Sequence, residues 1–216
     1  MEALDKIRDT AMSHERTIIV EVMGRNAGWL ALHSGIAGAA DAILIPEIPY
    51  DPEIVLKKIK TRRNQGYFSS IVVVSEGAAP KGDAPSVLCE RQAGEMLRYA
   101  GAADRLAKQL TALNDPSRPY YIEGFEVRTS VLGYIQRGGS PSNFDRLLGT
   151  RLGNRAAHLV AERKFGQMVA LKGQTIAAID LKEVCDRQKL VDPKGEEVIT
   201  AKEIGICFGD DEILHV

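Results

Sequence analysis

Four apolar runs punctuate the chain. Residues 17–23 (TIIVEVM), 42–48 (AILIPEI) and 70–76 (SIVVVSE) are nearly continuous in Val, Ile and Leu and read as buried strands. Residues 126–135 (EVRTSVLGYI) read as a fourth strand. The segments between them follow a helical period. Residues 1–17 form a charged amphipathic helix. Residues 26–40 (NAGWLALHSGIAGAA) form a small-residue helix suited to close packing on a sheet. Residues 52–65 place Val55, Leu56 and Ile59 on one side and lysines elsewhere. Residues 86–113 are expected to be mostly helical with a break near Gly101. A long helix over 142–164 and a short hairpin around Gly173 and Gln174 complete the pattern. Strands alternating with helices predict an α/β fold around a parallel or mixed sheet.

Composition narrows the function classes. The 216 residues include 28 Lys and Arg against 29 Asp and Glu, a net charge of −1, so any anion site must be local. Cys89, Cys185 and Cys207 lie far apart with no CxxC spacing, which fits a reducing, cytoplasmic setting. No apolar run approaches a membrane span of roughly 20 residues. The basic run 57–63 (KKIKTRR) reads as a solvated helix face, so neither nucleic acid nor membrane is expected as a partner. His14, His33, His158 and His215 show no metal-ligand spacing, and no metal site is expected from these residues.

In parallel α/β sheets ligands bind beyond the carboxyl ends of the strands. The four strand ends here run into Met23-Gly24-Arg25, Pro46-Glu47, Glu76-Gly77 and Gln136-Arg137-Gly138-Gly139. Three of the four set a charged residue beside glycine. Tight turns alone use glycine. Two arginines and one carboxylate together point to a ligand with an anionic group and hydroxyls. Beyond Arg137, either Ser140 with Pro141 or Ser142 with Asp145 can start a helix, placing free N–H groups near that arginine. There is no GxxxxGK[ST] and no GxGxxG after a strand, so the residues show no cradle for a phosphoryl donor.

Residues 20–51 (VEVMGRNAGWLALHSGIAGAADAILIPEIPYD), 72–82 (VVVSEGAAPKG) and 131–153 (VLGYIQRGGSPSNFDRLLGTRLG) resemble the phosphofructokinase family. The resemblance covers about residues 1–180. The MVALKGQTI stretch at 168–176 resembles the bacterial branch with both ATP-using and pyrophosphate-using members. The family fold implies a three-layer sandwich with a mostly parallel sheet flanked by helices. Residues 1–141 would be the fructose 6-phosphate-binding domain. Residues 142–216, a helix and short strands, would pack on a nucleotide domain. The resemblance implies that Met23, Gly24 and Arg25 line the sugar, with Arg25 also facing the transferring phosphoryl group. Glu76 would accept from sugar hydroxyls. Tyr134, Ile135, Gln136 and Arg137 would hold the 6-phosphate. Arg16 and Arg128 would reach the same phosphate across a subunit interface, so a homo-oligomer is implied.

The implied reaction moves a phosphoryl group from ATP or pyrophosphate to the 1-hydroxyl of fructose 6-phosphate, with Mg²⁺. The family's glycine-rich donor loop and catalytic aspartate have no counterpart in these residues. The expectation is a C-terminal portion that lacks the nucleotide part and is inactive alone. A non-catalytic sugar-phosphate-binding or scaffold module is the alternative. Tyr134 stands where many ATP-using members carry histidine, which leans toward the pyrophosphate or mixed branch. Arg8 and Asp41 fit the family's effector pattern. Gln65, Tyr67 and Ser69 replace its usual Lys, Lys and His, so weak or absent effector control is expected.

Overall fold

A computed structural model describes residues 1–89, 98–185 and 187–210. The three Val- and Ile-rich runs become β1 (Thr17–Val22), β2 (Ala42–Leu44) and β3 (Ser70–Ser75), and the fourth becomes β6 (Val127–Val131). These four form one all-parallel sheet in the order β2-β3-β1-β6. Every residue of β1, β2 and β3 is buried, as expected of strands covered on both faces.

Alternate strand residues feed two separate cores. Ile18, Val20 and Val22 of β1 join Ile43, Ile71 and Val73 on one face. That face is covered by α1 (Glu2–Ser13), α2 (Trp29–Ala37) and α7 (Glu196–Glu203), through Leu4, Leu32 and Val198 among others. Ile19, Leu44, Val72 and Val74 point to the opposite face. There they meet α3 (Pro52–Asn64) and α4 (Ala102–Leu113) through Val55, Leu56, Ile59, Leu106 and Leu110. Helix, sheet and helix make the three expected layers.

Two expectations need correction. The segment 86–113 is not mostly helical. It holds β4 (Val87–Cys89) and β5 (Arg98–Tyr99), an antiparallel pair, before α4 begins at Ala102. Residues 90–97 lie outside the described residues. Gly101, expected as a break, is the left-handed residue that opens α4, at φ +87°. The fourth strand also ends early. After Val131 the chain turns at Gly133 (φ +51°) into a 3-10 turn, Gly133–Arg137.

The chain divides into two compact units. The first comprises residues 1–136 and 190–216, and the second residues 137–189. Residues 190–210 cluster with the first unit. Val191, Val198, Ala201, Ile206 and Phe208 sit in the core beside β1. The second unit holds α5 (Asn143–Ala161), the hairpin β7 (Gln167–Lys172) and β8 (Thr175–Asp180), and α6 (Leu181–Val184). The hairpin turns at Gly173, φ +60°.

Candidate functional site

Because the sheet is all parallel, the segments after β1, β3 and β6 leave from one edge. The segment after β1 is Met23-Gly24-Arg25. Glu76, the first residue after β3, reaches across to it. Its Oε1 accepts from the backbone N–H of Arg25 at 3.0 Å and of Gly24 at 3.3 Å. Gln136, after β6, approaches from the other side, and its Oε1 accepts from Met23 N–H at 3.3 Å. The Gln136 amide also donates to the Gly133 carbonyl at 3.2 Å, closing its own turn. Side chains from two strand ends thus fix the backbone of a third.

Arg25 adopts φ +54°, left-handed and unfavourable for a side chain with a Cβ by roughly 1–2 kcal/mol. The two amides bound by Glu76 oppose that strain. Arg25 itself is exposed, and so are Tyr134 (71%) and Ile135 (69%) on the 3-10 turn. Arg137 ends that turn and is the first residue of the second unit. Beyond it, the structure chooses between the two helix starts. Ser142 caps α5 and accepts from Asp145 N–H at 3.2 Å, while Asp145 Oδ2 accepts from Ser142 N–H at 2.9 Å. The Ser142 hydroxyl, which donates to Asp145 Oδ2 at 2.7 Å, and then the Ser142 N–H hold the Asp145 carboxyl below its ordinary range. An anionic side chain therefore already occupies this helix N-terminus, and its open N–H groups are fewer than the sequence suggested.

Arg16 and Arg128 stand at the opposite edge, where the strands begin. Thr17 pairs with Val127, so Arg16 lies beside Glu126 in register. Arg16 Nε donates to Glu126 Oε2 at 2.5 Å, and Arg128 donates to Glu126 Oε1. The hydrogen bond from Arg16, aided by the Arg128 charge, keeps Glu126 below the usual carboxylate range. Apart from Tyr134 and Ile135 on the exposed turn and Arg137 in the second unit, the expected residues therefore fall into two groups. Met23, Gly24, Arg25, Glu76 and Gln136 come together at the carboxyl edge. Arg16 and Arg128 come together at the amino edge, separated from the first group by the length of β1, about 20 Å at roughly 3.3 Å per residue.

Sequence reasoning missed Glu126 and the role of Gly77. Glu126 carried a usable signal. It lies two residues before Arg128, so both side chains share one side of a strand. Gly77 looks in sequence like any glycine after a strand, and nothing in a linear pattern shows what it faces. Glu47, noted at the end of the second strand, serves structure. It accepts from Gly28 N–H at 3.0 Å and Val191 N–H at 2.8 Å, tying α2 to the C-terminal segment. Arg8 donates to the Gly38 and Ala39 carbonyls at the end of α2. Asp41 is buried, accepts from Ile71 N–H at 2.8 Å and lies 2.7 Å from Arg62 Nε. Burial raises the Asp41 carboxyl despite these partners. Among the described residues no group of three or more His, Cys, Asp or Glu could hold a metal ion. No helix among them is long and apolar enough to cross a membrane.

The fold and this edge define an open parallel α/β domain whose strand-end loops are fastened to one another. The family model for Phosphofructokinase matches residues 1–160. A curated relative, ATP-dependent 6-phosphofructokinase 2 of Clostridium perfringens, is 47% identical over 97% of this chain and 55% of its own length. Pyrophosphate–fructose 6-phosphate 1-phosphotransferase of Streptomyces coelicolor is 44% identical over 96% of this chain and 57% of its own length. A solved phosphofructokinase from Saccharomyces cerevisiae superposes with a TM-score of 0.68 at 30% identity, covering 84% of this chain and 22% of that one. The fold also matches a pyrophosphate-dependent phosphofructokinase from Marinobacter aquaeolei, with a TM-score of 0.65 at 22% identity, over 96% of this chain and 50% of that one. The chain belongs to the phosphofructokinase family. It spans about half the length of the curated relatives it matches.

Proposed function

We propose that this chain is the fructose 6-phosphate-binding part of a cytoplasmic 6-phosphofructokinase. The complete enzyme would transfer a phosphoryl group from ATP or pyrophosphate to the sugar 1-hydroxyl. The observation that carries this reading is the convergence at the carboxyl edge. Glu76 and Gln136 both bind the backbone of Met23-Gly24-Arg25. Such a site offers a carboxylate for hydroxyls and an arginine for an anion, with the carboxylate bound to that arginine's own backbone N–H. Arg25 would stabilise charge on the transferring group. Arg137 and the Tyr134–Gln136 turn would hold the 6-phosphate, where a guanidinium's planar fork suits two phosphate oxygens. Arg16 and Arg128, far from this edge within one chain, would serve the site of a second copy in a homo-oligomer.

The described residues supply no Mg²⁺ cage. Donor, metal and the base that takes the hydroxyl proton would be handled by the part of the enzyme outside this chain, which would be inactive alone. The test is thermal unfolding of this chain with fructose 6-phosphate, using glucose 6-phosphate and inorganic sulfate as controls. Ligand at about 100 times its dissociation constant stabilises a binder by roughly 2.7 kcal/mol. A shift specific to fructose 6-phosphate supports the reading. An equal shift with all three reduces the site to a general anion site, and no shift in a cooperatively folding chain refutes binding by this part alone.

A further inference from the structure

Gly77 is buried directly behind Glu76, where β3 gives way to its loop. A Cβ there would stand 1.8 Å from the Arg25 carbonyl oxygen and 2.9 Å from its carbonyl carbon, both backbone atoms. On the other side it would meet Pro46 Cγ at 3.2 Å. No side-chain rotation relieves a 1.8 Å approach between a Cβ and a backbone oxygen. Either the Arg25 peptide or the Glu76-Gly77 segment has to move. The same two segments are joined from the other direction by Glu76 Oε1, which accepts from both Gly24 and Arg25 N–H. Gly24 is crowded as well, since a Cβ on it would lie 2.6 Å from the Ala27 carbonyl oxygen and 2.9 Å from Ser75 Oγ.

We propose that Gly77 is a positioning residue for Arg25. Its missing side chain lets the β3 loop close onto the β1 loop. Glu76 can then bind the Gly24 and Arg25 amides and hold Arg25 left-handed. The position of the guanidinium follows from that backbone. Binding of the phosphorylated sugar therefore depends on a glycine whose part is to make room for the Arg25 carbonyl. This deepens, and for its affinity arm rests on, the proposed fructose 6-phosphate site.

The experiment compares Gly77→Ala, Glu76→Gln, Glu76→Ala and Gly209→Ala in this same chain. Gly209 is another crowded glycine, with a Cβ placed 2.6 Å from Tyr50 Cβ and a φ of +73° that strains any side chain, and it controls for general destabilisation. Amide hydrogen exchange at Gly24 and Arg25 is read by NMR, fructose 6-phosphate affinity by calorimetry, and folding by thermal unfolding. The expected result for Gly77→Ala is lost protection at both amides and an affinity loss on the order of 10–100-fold, the scale of one lost hydrogen bond to a charged group. Gly209→Ala lowers the melting temperature without changing either reading. Glu76→Gln, which keeps an acceptor oxygen, retains the protection that Glu76→Ala loses. The proposal is overturned if Gly77→Ala leaves both amides protected, or if Gly209→Ala exposes them equally. If Gly77→Ala fails to fold, the two Glu76 variants decide, and equal protection in both overturns it. Failure of the wild-type chain to bind fructose 6-phosphate sinks the functional reading alone, and the amide arm still decides the positioning.

Discussion

At the scale of single residues, charge is fixed by neighbours that the linear pattern does not display. Glu126 receives Arg16 and Arg128 together. Its carboxyl is depressed first by the Arg16 hydrogen bond. The unfolded chain therefore holds that proton more tightly than the folded one. The stabilisation is complete above the ordinary glutamate range and disappears as pH falls through the depressed folded value. Melting curves of wild type and Glu126→Gln, run from neutral pH down through the carboxylate range, should converge at the acid end. Parallel curves would show that the pair contributes nothing to folding, the common outcome for exposed ion pairs. Met23, Gly24, Arg25 and Glu76 were legible in the sequence because each follows a strand end within three residues, and Gln136 because it closes the turn five residues after β6. The opposite-edge position of Arg16 and Arg128 was not, because it requires knowing that β1 and β6 are adjacent and parallel.

At the scale of elements, the sequence shows what a helix or strand buries more clearly than where it stops. The three Val- and Ile-rich strands and α3 were visible because burial on both faces, or on one, writes itself into the apolar pattern. The start of α4 was not visible, because its cap lies about 80 residues upstream on another element. Glu21, buried in β1, accepts from Gly101 N–H at 3.2 Å and Ala103 N–H at 2.9 Å. A local search finds no capping side chain there and runs the helix back through 86–100. Glu21→Ala should leave those N–H groups without an acceptor in a dry setting and cost about 1–3 kcal/mol. Glu21→Gln, keeping one oxygen, should cost less, and urea unfolding of the two separates them. Equal losses would mean that the charge matters rather than the cap. The early end of β6 escaped detection for a related reason. Leu132, Tyr134 and Ile135 are good strand formers, yet Gly133 turns left-handed, and the Gln136 side chain closes the turn onto its carbonyl.

At the scale of the whole molecule, the two units differ in how much apolar surface they conceal. In the first unit β1 and β3 are buried along their whole length. In the second, α5 buries only Leu159, while Phe144 (62%), Leu147 (59%) and Phe165 (73%) stay exposed. The β7-β8 hairpin has no fully buried residue. Local opening is easiest where buried apolar contacts are few, so the second unit should open well before the first. Native-state hydrogen exchange at low protein concentration should confine the slowest amides to β1 and β3. Amides of α5, β7 and β8 should exchange at least about tenfold faster, a gap that corresponds to roughly 1.4 kcal/mol of local stability. Raising the concentration separates two explanations of the exposed apolar residues. If a second copy covers them, protection of α5 rises with concentration. If they are reserved for the part of the enzyme outside this chain, protection stays low at every concentration. Uniform protection of both units at high dilution would refute the difference in local stability and show that the sparse core of the second unit suffices to hold it closed.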